Sequence, residues 1–307
     1  MFAHMSFIRD ILLGAQKRKG NLSEMCRALH INPSDLFHSD IQVSFEVAYR
    51  AWEVGIEQTG DPFLGLHIGE ETNTSILGLV GHLMQSCATL EEAFRAVCSF
   101  SGVTTDMFSY SMSTTGEKYE LSYLPCMPWI KASRVSARQA VEQAMAGTLN
   151  VFRMLSGKTI FPELVLFSHA RSKDQSEYDR IFQAPLKWSA KSNTLVFTRG
   201  QMKSPILSYD ESMLGVFCDL IKKRMSEMSK ETFENKVKRA IMTTFMGQIP
   251  SIENIAAQFN MTVRSFQRQL EDENVSYRQL CSSLGKDFSA SLLSNQNIKI
   301  AEVASAL

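Results

Sequence analysis

Residues 251–270 constrain the fold of this 307-residue chain most, because their pattern predicts two short helices joined by a tight turn. Ser251 is a favourable N-cap for a first helix over 252–259. Asn260 tolerates the left-handed conformation that ends a helix, and Thr262 can cap the second helix. A helix-turn-helix of this kind presents its second helix to the major groove of duplex DNA.

The second predicted helix, 262–271, has two chemically different sides. Phe266 and Leu270 point inward at i, i+4 spacing. Arginine can read guanine and glutamine can read adenine through two hydrogen bonds each, and Ser265 at the edge can touch phosphate. The outward side carries the polar residues Arg264, Gln267, Arg268 and Glu271.

A solvated helix face is the ordinary alternative for such a polar stripe. The small Ala256 in the preceding helix, the short turn and the two caps favour DNA binding instead. The formal net charge of the chain is zero, with 32 basic and 32 acidic residues, so any basic surface must be local. The segment from residue 222 to residue 268 contains nine basic and four acidic residues. This local excess of positive charge supplies cations for phosphate contacts.

Composition describes an ordinary globular protein of about two domains, with 44% apolar and 21% charged residues. The six cysteines form no CxxC pair, which indicates reduced, buried side chains. No apolar run reaches the ~18 residues of a membrane span. The amino-terminal charges follow the apolar residues, the reverse of a secretory signal, so we expect a cytoplasmic protein.

The first 200 residues mix strand and helix signals. Segments 107–112 and 118–124 alternate around a glycine turn and predict a β-hairpin. Thr89 begins a capping box for a helix that follows, and 137–155 is a long amphipathic helix. Without a regular βαβ rhythm, these signals predict an α+β domain with a mostly antiparallel sheet and helices.

The best domain boundary is 201–208, because strand signals disappear beyond it. The carboxy-terminal third is predicted to be all helix. The predicted helices cover 209–228, 231–246, 251–259, 262–271, 277–293 and 300–307.

Several stretches resemble one family. SIENIAAQFNMTVRSFQRQLEDENVSYRQL and IKIAEVASAL resemble the DNA-binding domain of AraC/XylS-type regulators, which has two helix-turn-helix units. WEVGIEQTGDPFLGLHIGEE and GLVGHLMQSCATLEEAFRAV resemble the effector domain of that family's ornithine/arginine-regulator branch, which is distinct from members with a cupin-type sugar pocket. The resemblance covers nearly the whole chain.

The resemblance implies a dimeric transcription regulator that senses a small molecule and contacts DNA and RNA polymerase. It divides the chain into an effector domain (1–207), a linker or dimerisation helix (208–230) and a DNA-binding domain (231–307). Arg264, Gln267 and Arg268 occupy the base-reading places of the first helix-turn-helix, 251–271. The apolar face of the linker helix, a candidate dimer interface, comprises Met213, Leu214, Phe217, Leu220 and Ile221.

Two departures from the family pattern affect this interpretation. The family's second helix-turn-helix begins as 300–307 does, so we expect that unit to be truncated. Gly285, Lys286 and Asp287 stand where the family tends to be rich in arginine. The alternative is therefore a dimerising module that binds a ligand or protein but cannot bind DNA, because its second unit is missing.

The effector residues are hard to identify from sequence. A carboxylate ligand would need a buried arginine, and Arg134 and Arg138 are the candidates, although surface arginines near a helix start are the more common case. The aromatic and Met residues of this region, such as Phe94 and Phe152, indicate core. The histidines lack metal-site spacing and no G-x-S-x-G is present, so we expect no metal, no cofactor and no enzyme.

Overall fold

The protein has a mixed α/β structure, seen here in a computed structural model. It divides into two compact units, Met1–Met225 and Ser226–Leu307. Among the described helices, none combines the length and the apolar character that a bilayer span requires. The residues described are 1–38, 41–229, 232–244 and 249–284.

The strands of the first unit form two sheets. In the larger sheet the strand order is β3-β4-β7-β5-β6, and every pair is antiparallel except β5 with β6. In the smaller sheet β1 pairs antiparallel with β2. The predicted mostly antiparallel sheet therefore includes one parallel pair. The strands are β1 (Phe2–His4), β2 (Gln42–Ser44), β3 (Phe108–Thr115), β4 (Lys118–Pro125), β5 (Leu164–Leu166), β6 (Leu186–Lys187) and β7 (Asn193–Thr198).

The predicted β-hairpin is confirmed by the register of β3 and β4, which pairs Thr115 with Lys118 across the turn. Gly116 takes a φ of +61°, a conformation that glycine adopts without steric cost. Tyr119, Leu121 and Tyr123 on β4 are buried at every second position, so one face of the sheet packs on the core.

Helices form the amino-terminal part of the first unit and also contribute to its core. The helices are α1 (Met5–Lys17), α2 (Leu22–Ala28), α3 (Phe45–Thr59), α4 (Leu64–Gly69), α5 (Leu79–Ser86), α6 (Leu90–Phe100), α7 (Met127–Ala132), α8 (Arg134–Ser156), α9 (Ser176–Phe182), α10 (Arg199–Met202) and α11 (Glu211–Ser229).

Two glycines bring α4 against the central helix α8. A β-carbon on Gly65 would lie 2.2 Å from the carbonyl oxygen of Gln139, and one on Gly69 would lie 2.7 Å from that of Gln143. The side chain of Gln139 also accepts a hydrogen bond from the Gly65 backbone N–H. Close helix packing therefore requires glycine at both positions.

The described elements of the second unit are helices: α12 (Phe233–Thr244), α13 (Ile252–Gln258), α14 (Val263–Glu271) and a helical stretch over 277–284. Val237, Ile241 and Ile255 are fully buried between them. The carboxylate of Glu273 accepts the backbone N–H groups of Phe233 and Glu234 at 2.5 and 2.7 Å, which caps α12. The predicted segments 285–287 and 300–307 lie outside the described residues.

Candidate functional site

The turn between α13 and α14 has the predicted cap chemistry. The Ser251 hydroxyl accepts the Asn254 backbone N–H at 3.3 Å, and the Thr262 hydroxyl accepts that of Ser265 at 3.2 Å. Asn260 has a φ of +54°, in the left-handed region. Each cap satisfies a backbone donor that a helix end leaves free, so both helices begin where the sequence predicts.

The inner side of α14 holds this helix in the second unit. Phe266 and Leu270 are completely buried. The Phe266 ring lies 5.3 Å from that of Phe233 and 5.9 Å from that of Tyr277, edge to face in each case. Because Phe266 and Leu270 are both buried on this side, the orientation of the outer side of α14 is fixed.

The outer side of α14 presents three of the predicted residues to solvent. Arg264, Gln267 and Arg268 are exposed, and among the described residues neither arginine has an ion-pair partner. Ser265 is half-buried and its hydroxyl oxygen accepts a 3.0 Å hydrogen bond from Thr262. The guanidinium donors are therefore free for phosphate or for a guanine edge.

The two arginines suggested for the effector lie at the start of α8. Arg134 is exposed. Arg138 donates from Nε to Glu142 Oε1 at 2.7 Å and from a terminal nitrogen to the Tyr178 hydroxyl at 3.1 Å. Glu142 is fully buried, and this burial raises the pKa of its carboxyl while Arg138 and the Tyr178 hydroxyl oppose the rise. The charge of Arg138 is thus compensated inside the protein.

A cavity of about 100 Å³ lies inside the first unit, between α1, α3, α8 and β3. Neither Arg134 nor Arg138 lines it. Sequence reasoning assigned Phe94 and Phe152 to the core, and nothing in the spacing of the lining residues marks a cavity, since the walls come from distant parts of the chain. The rings lining it belong to Phe7, Trp52, Phe94, Phe108, Tyr110, Trp129 and Phe152.

Most polar groups of this cavity are hydrogen-bonded within the protein. Thr105 donates to the Phe2 carbonyl at 2.9 Å, and Thr148 donates to the Ala144 carbonyl at 2.8 Å. Gln143 donates through Nε2 to a carboxylate oxygen of Asp10 at 2.6 Å. Burial raises the pKa of that carboxyl to about 6.

Several polar atoms of the lining keep free capacity. Among the described residues, no hydrogen-bond partner is found for the Tyr110 hydroxyl, Oε1 of Gln143, Nε1 of Trp52 or Nδ2 of Asn73. Burial raises the pKa of Tyr110, so its hydroxyl stays neutral and can donate a hydrogen bond.

A second cavity of about 270 Å³ lies between α8 and α9 and is more polar. Arg180 lines it, but its guanidinium already donates to Glu70 at 2.8 and 2.5 Å and to Glu177 at 2.8 Å. The other lining arginine, Arg153, is exposed and hydrogen-bonded to Asn150. The charge of Arg180 is therefore balanced by carboxylates, whereas Arg153, within the described part of the chain, is hydrogen-bonded only to a neutral amide.

The predicted apolar face of α11 is divided between two environments. Ile221 is fully buried, and the Phe217 ring stacks on His82 of α5 at 5.6 Å. Met213 and Leu220 instead remain 47% and 46% exposed. Met84, on the same short helix as His82, lines the apolar cavity, so α5 contacts both the cavity and α11.

Comparison with known proteins finds a family match over residues 20–206, to the arabinose-binding domain of AraC transcription regulators. The ornithine utilization regulator of Pseudomonas aeruginosa is 20% identical over 80% of this chain and 71% of its own length. An uncharacterised HTH-type transcriptional regulator of Mycobacterium tuberculosis is 21% identical over 80% of this chain and 72% of its own. The crystal structure of the transcriptional regulator CdpR from Pseudomonas aeruginosa aligns with a TM-score of 0.48 and 18% identity, covering 92% of this chain and 87% of that one.

Proposed function

The chain belongs to the AraC family of transcription regulators, and on that premise we propose that it reads the major groove of DNA with α14 under the control of a small-molecule effector. The observation that carries the proposal is the outer side of α14. Arg264 and Arg268 are exposed there, have no ion pair within the part of the chain that the structure describes, and flank Gln267 on a helix fixed by the buried Phe266. In this assignment 1–207 is the effector domain, 208–230 the linker and 231–307 the DNA-binding domain.

Control of DNA binding needs an element that responds to the effector and reaches the linker. Helix α5 meets this requirement, since Met84 lines the apolar cavity while His82 stacks on Phe217 of α11. A ligand that binds two arrangements of α5 unequally would shift α11 between them.

Helix α11 also supports the proposal of a homodimer. Met213, Val216 and Leu220 are exposed at intervals of three and four residues, the spacing of an apolar seam between two helices. The proposed partners are DNA, the effector, a second copy of the chain and RNA polymerase, in the cytoplasm. Arg134 and Arg138 stay a prediction for an anionic effector.

The DNA proposal is tested by titrating a duplex from the chain's own upstream region, against a random duplex, at several salt concentrations. We expect preferential binding that weakens as salt rises, because phosphate contacts release counterions. Arg268→Ala should lower affinity by roughly 10- to 100-fold, the range for a lost arginine contact to a base. Arg27→Ala, an exposed arginine of the first unit, is the matched control and should change little.

Equal binding of both duplexes by the wild type, unchanged in Arg268→Ala, would contradict the proposal. If such a chain still dimerised through α11, the alternative of a DNA-incompetent interaction module would be favoured. The exposed Met213 and Leu220 give that alternative its structural support.

A further inference from the structure

The walls of the 100 Å³ cavity limit what can bind there. Among the described residues that line it, none is an aspartate, glutamate, lysine, arginine or histidine. Burying an unpaired ammonium or carboxylate in such surroundings is strongly unfavourable, and each unpaired hydroxyl of a sugar adds a further cost. A charged amino acid and a pentose are therefore both poor ligands for this cavity.

The size of the cavity suits one ring. An apolar cavity of roughly 150 Å³ in another protein stays dry and accepts benzene, and this one measures about 100 Å³. A single six-membered ring would need a small outward movement of the lining side chains, whereas a fused ring system would need repacking of the core.

The shape of the lining favours an aromatic ring. Phe94 meets Tyr110 at 84° and Phe152 at 82°, with ring centroids 6.2 and 6.5 Å apart. Phe108 meets Trp129 in the same edge-to-face way at 6.5 Å. Aromatic pairs favour this arrangement, so a bound ring can continue it.

The free polar atoms of the lining can serve a hydrogen-bonding group on the ligand. The Tyr110 hydroxyl can donate to a ligand oxygen or accept from a ligand hydroxyl, and Oε1 of Gln143 can accept from a hydroxyl. The carboxylate of Asp10 fixes the Gln143 amide through Nε2, at 2.6 Å. The cavity therefore offers few polar partners in a mostly apolar surround, as small-molecule sites do.

From these observations we propose that the effector is a small, uncharged single-ring aromatic compound with one hydroxyl or carbonyl group, bound in this cavity with the Tyr110 hydroxyl as its polar contact. The inference rests on the proposed function only in calling this ligand an effector, since binding of the ligand can be measured without DNA.

The full chain is tested with four probes: p-cresol, toluene, L-ornithine and L-arabinose. Binding is followed by the thermal midpoint and by tryptophan fluorescence, because Trp52 and Trp129 line the cavity. We expect p-cresol and toluene to raise the midpoint and change the emission, and ornithine and arabinose to do neither. The shift should grow with ligand concentration, as linkage requires.

Substitutions in the lining, with one exposed control, localise the binding. Ala144→Leu fills the cavity and should abolish both responses, whereas Ala132→Leu, on an exposed residue, should leave them intact. Tyr110→Phe removes only the hydroxyl, so it should weaken p-cresol by about tenfold, for the loss of one hydrogen bond, and leave toluene unchanged. If Ala144→Leu fails to fold, Ala48→Val, at another lining position on α3, makes the same test with a smaller side chain.

The inference is overturned if neither aromatic probe binds the wild type, or if their binding survives both filling variants. It is also overturned if ornithine or arabinose binds in a manner that the filling variants abolish. DNA binding is measured on the same preparations, which separates the two claims. A chain that binds its operator but no aromatic probe refutes this inference alone, and one that binds p-cresol but no DNA refutes only the proposed function.

Discussion

Arg138 in the first unit and Arg264 in the second show two different uses of the same side chain. Arg138 is half-buried and donates to Glu142 and Tyr178, with its charge balanced inside the protein. Arg264 is exposed and has no ion pair among the described residues, although it lies on a helix whose inner side is buried. The first arrangement stabilises a fold, whereas the second leaves a charge available for a partner.

The largest effect is expected from breaking the buried pair. Glu142→Leu should lower the free energy of unfolding of the first unit by about 3 kcal/mol, because Arg138 and Tyr178 lose their acceptor while remaining largely buried. Arg138→Leu should cost a similar amount. Thermal and urea unfolding of the full chain would measure both.

The double variant Arg138→Leu/Glu142→Leu provides the control. It should recover much of the loss, because an apolar pair of similar volume leaves no uncompensated charge. If the destabilisation of the double variant equalled the sum of the destabilisations of the two single variants, the pair would have no coupling energy. The view that Arg138 stabilises the first unit through this pair would then be wrong.

The complementary experiment changes the unpaired arginine. Arg264→Ala should leave unfolding within about 0.5 kcal/mol of the wild type, because the side chain is exposed. It should weaken operator binding by about 1–3 kcal/mol if it reads a base. Fluorescence anisotropy with the operator duplex measures the second effect.

Arg264→Lys separates base reading from phosphate contact. Lysine keeps the charge but cannot form the two parallel hydrogen bonds of a guanidinium. Retained affinity in the lysine variant would assign Arg264 to a phosphate, and loss in both variants would assign it to a base. A change in unfolding as large as that of Glu142→Leu would contradict the distinction between the two arginines.

A smaller effect is expected at the cap that begins the exposed helix. Thr262→Ala should destabilise α14 by about 1 kcal/mol, because the Ser265 backbone N–H loses its acceptor at 3.2 Å. Amide hydrogen exchange in α14 should then accelerate about fivefold. Thr262→Ser keeps the hydroxyl and should exchange like the wild type. An equal acceleration of exchange in both variants would show that loss of the capping hydroxyl is not the cause.

These caps also show which parts of the molecule the sequence can predict. Ser251, Asn260 and Thr262 act on residues within three or four positions, so local chemistry was sufficient to place the turn and the direction of α14. The hairpin and α8 were predicted for the same reason, from period-2 alternation and from a long amphipathic repeat.

The parts that escaped prediction depend on distant residues. Strands β1 and β2 have three residues each, which is too short to show a periodic sequence signal. They pair His4 with Gln42, which is distant in sequence. The cavity brings Phe7, Trp52, Tyr110 and Phe152 together from four separate elements. In sequence these residues are indistinguishable from core, because an apolar wall and an apolar core have the same composition.

The smallest effect concerns a histidine, His67, which resembles Arg138 in being paired, yet loses its charge as pH rises. Nδ1 of His67 lies 2.6 Å from Asp61 and Nε2 lies 3.0 Å from Glu177. The hydrogen bond with Asp61 is the main cause that raises the pKa of His67. Its stabilisation is therefore fully present below the unfolded pKa of about 6.5 and is lost as pH rises through the folded pKa.

His67→Gln should consequently reduce the fall in thermal midpoint between pH 6 and pH 8.5, by an amount equivalent to less than about 1 kcal/mol, because the ring is partly exposed. Measurements stay above pH 5.5, since the pKa values of Asp61 and Glu177 are lowered and their contribution is lost only in acid. His38→Gln, on an exposed histidine, should keep the wild-type pH profile. If the two variants gave the same profile, the charge on His67 would contribute nothing, and pairing inside the first unit would matter only for charges that persist at every pH, as that of Arg138 does.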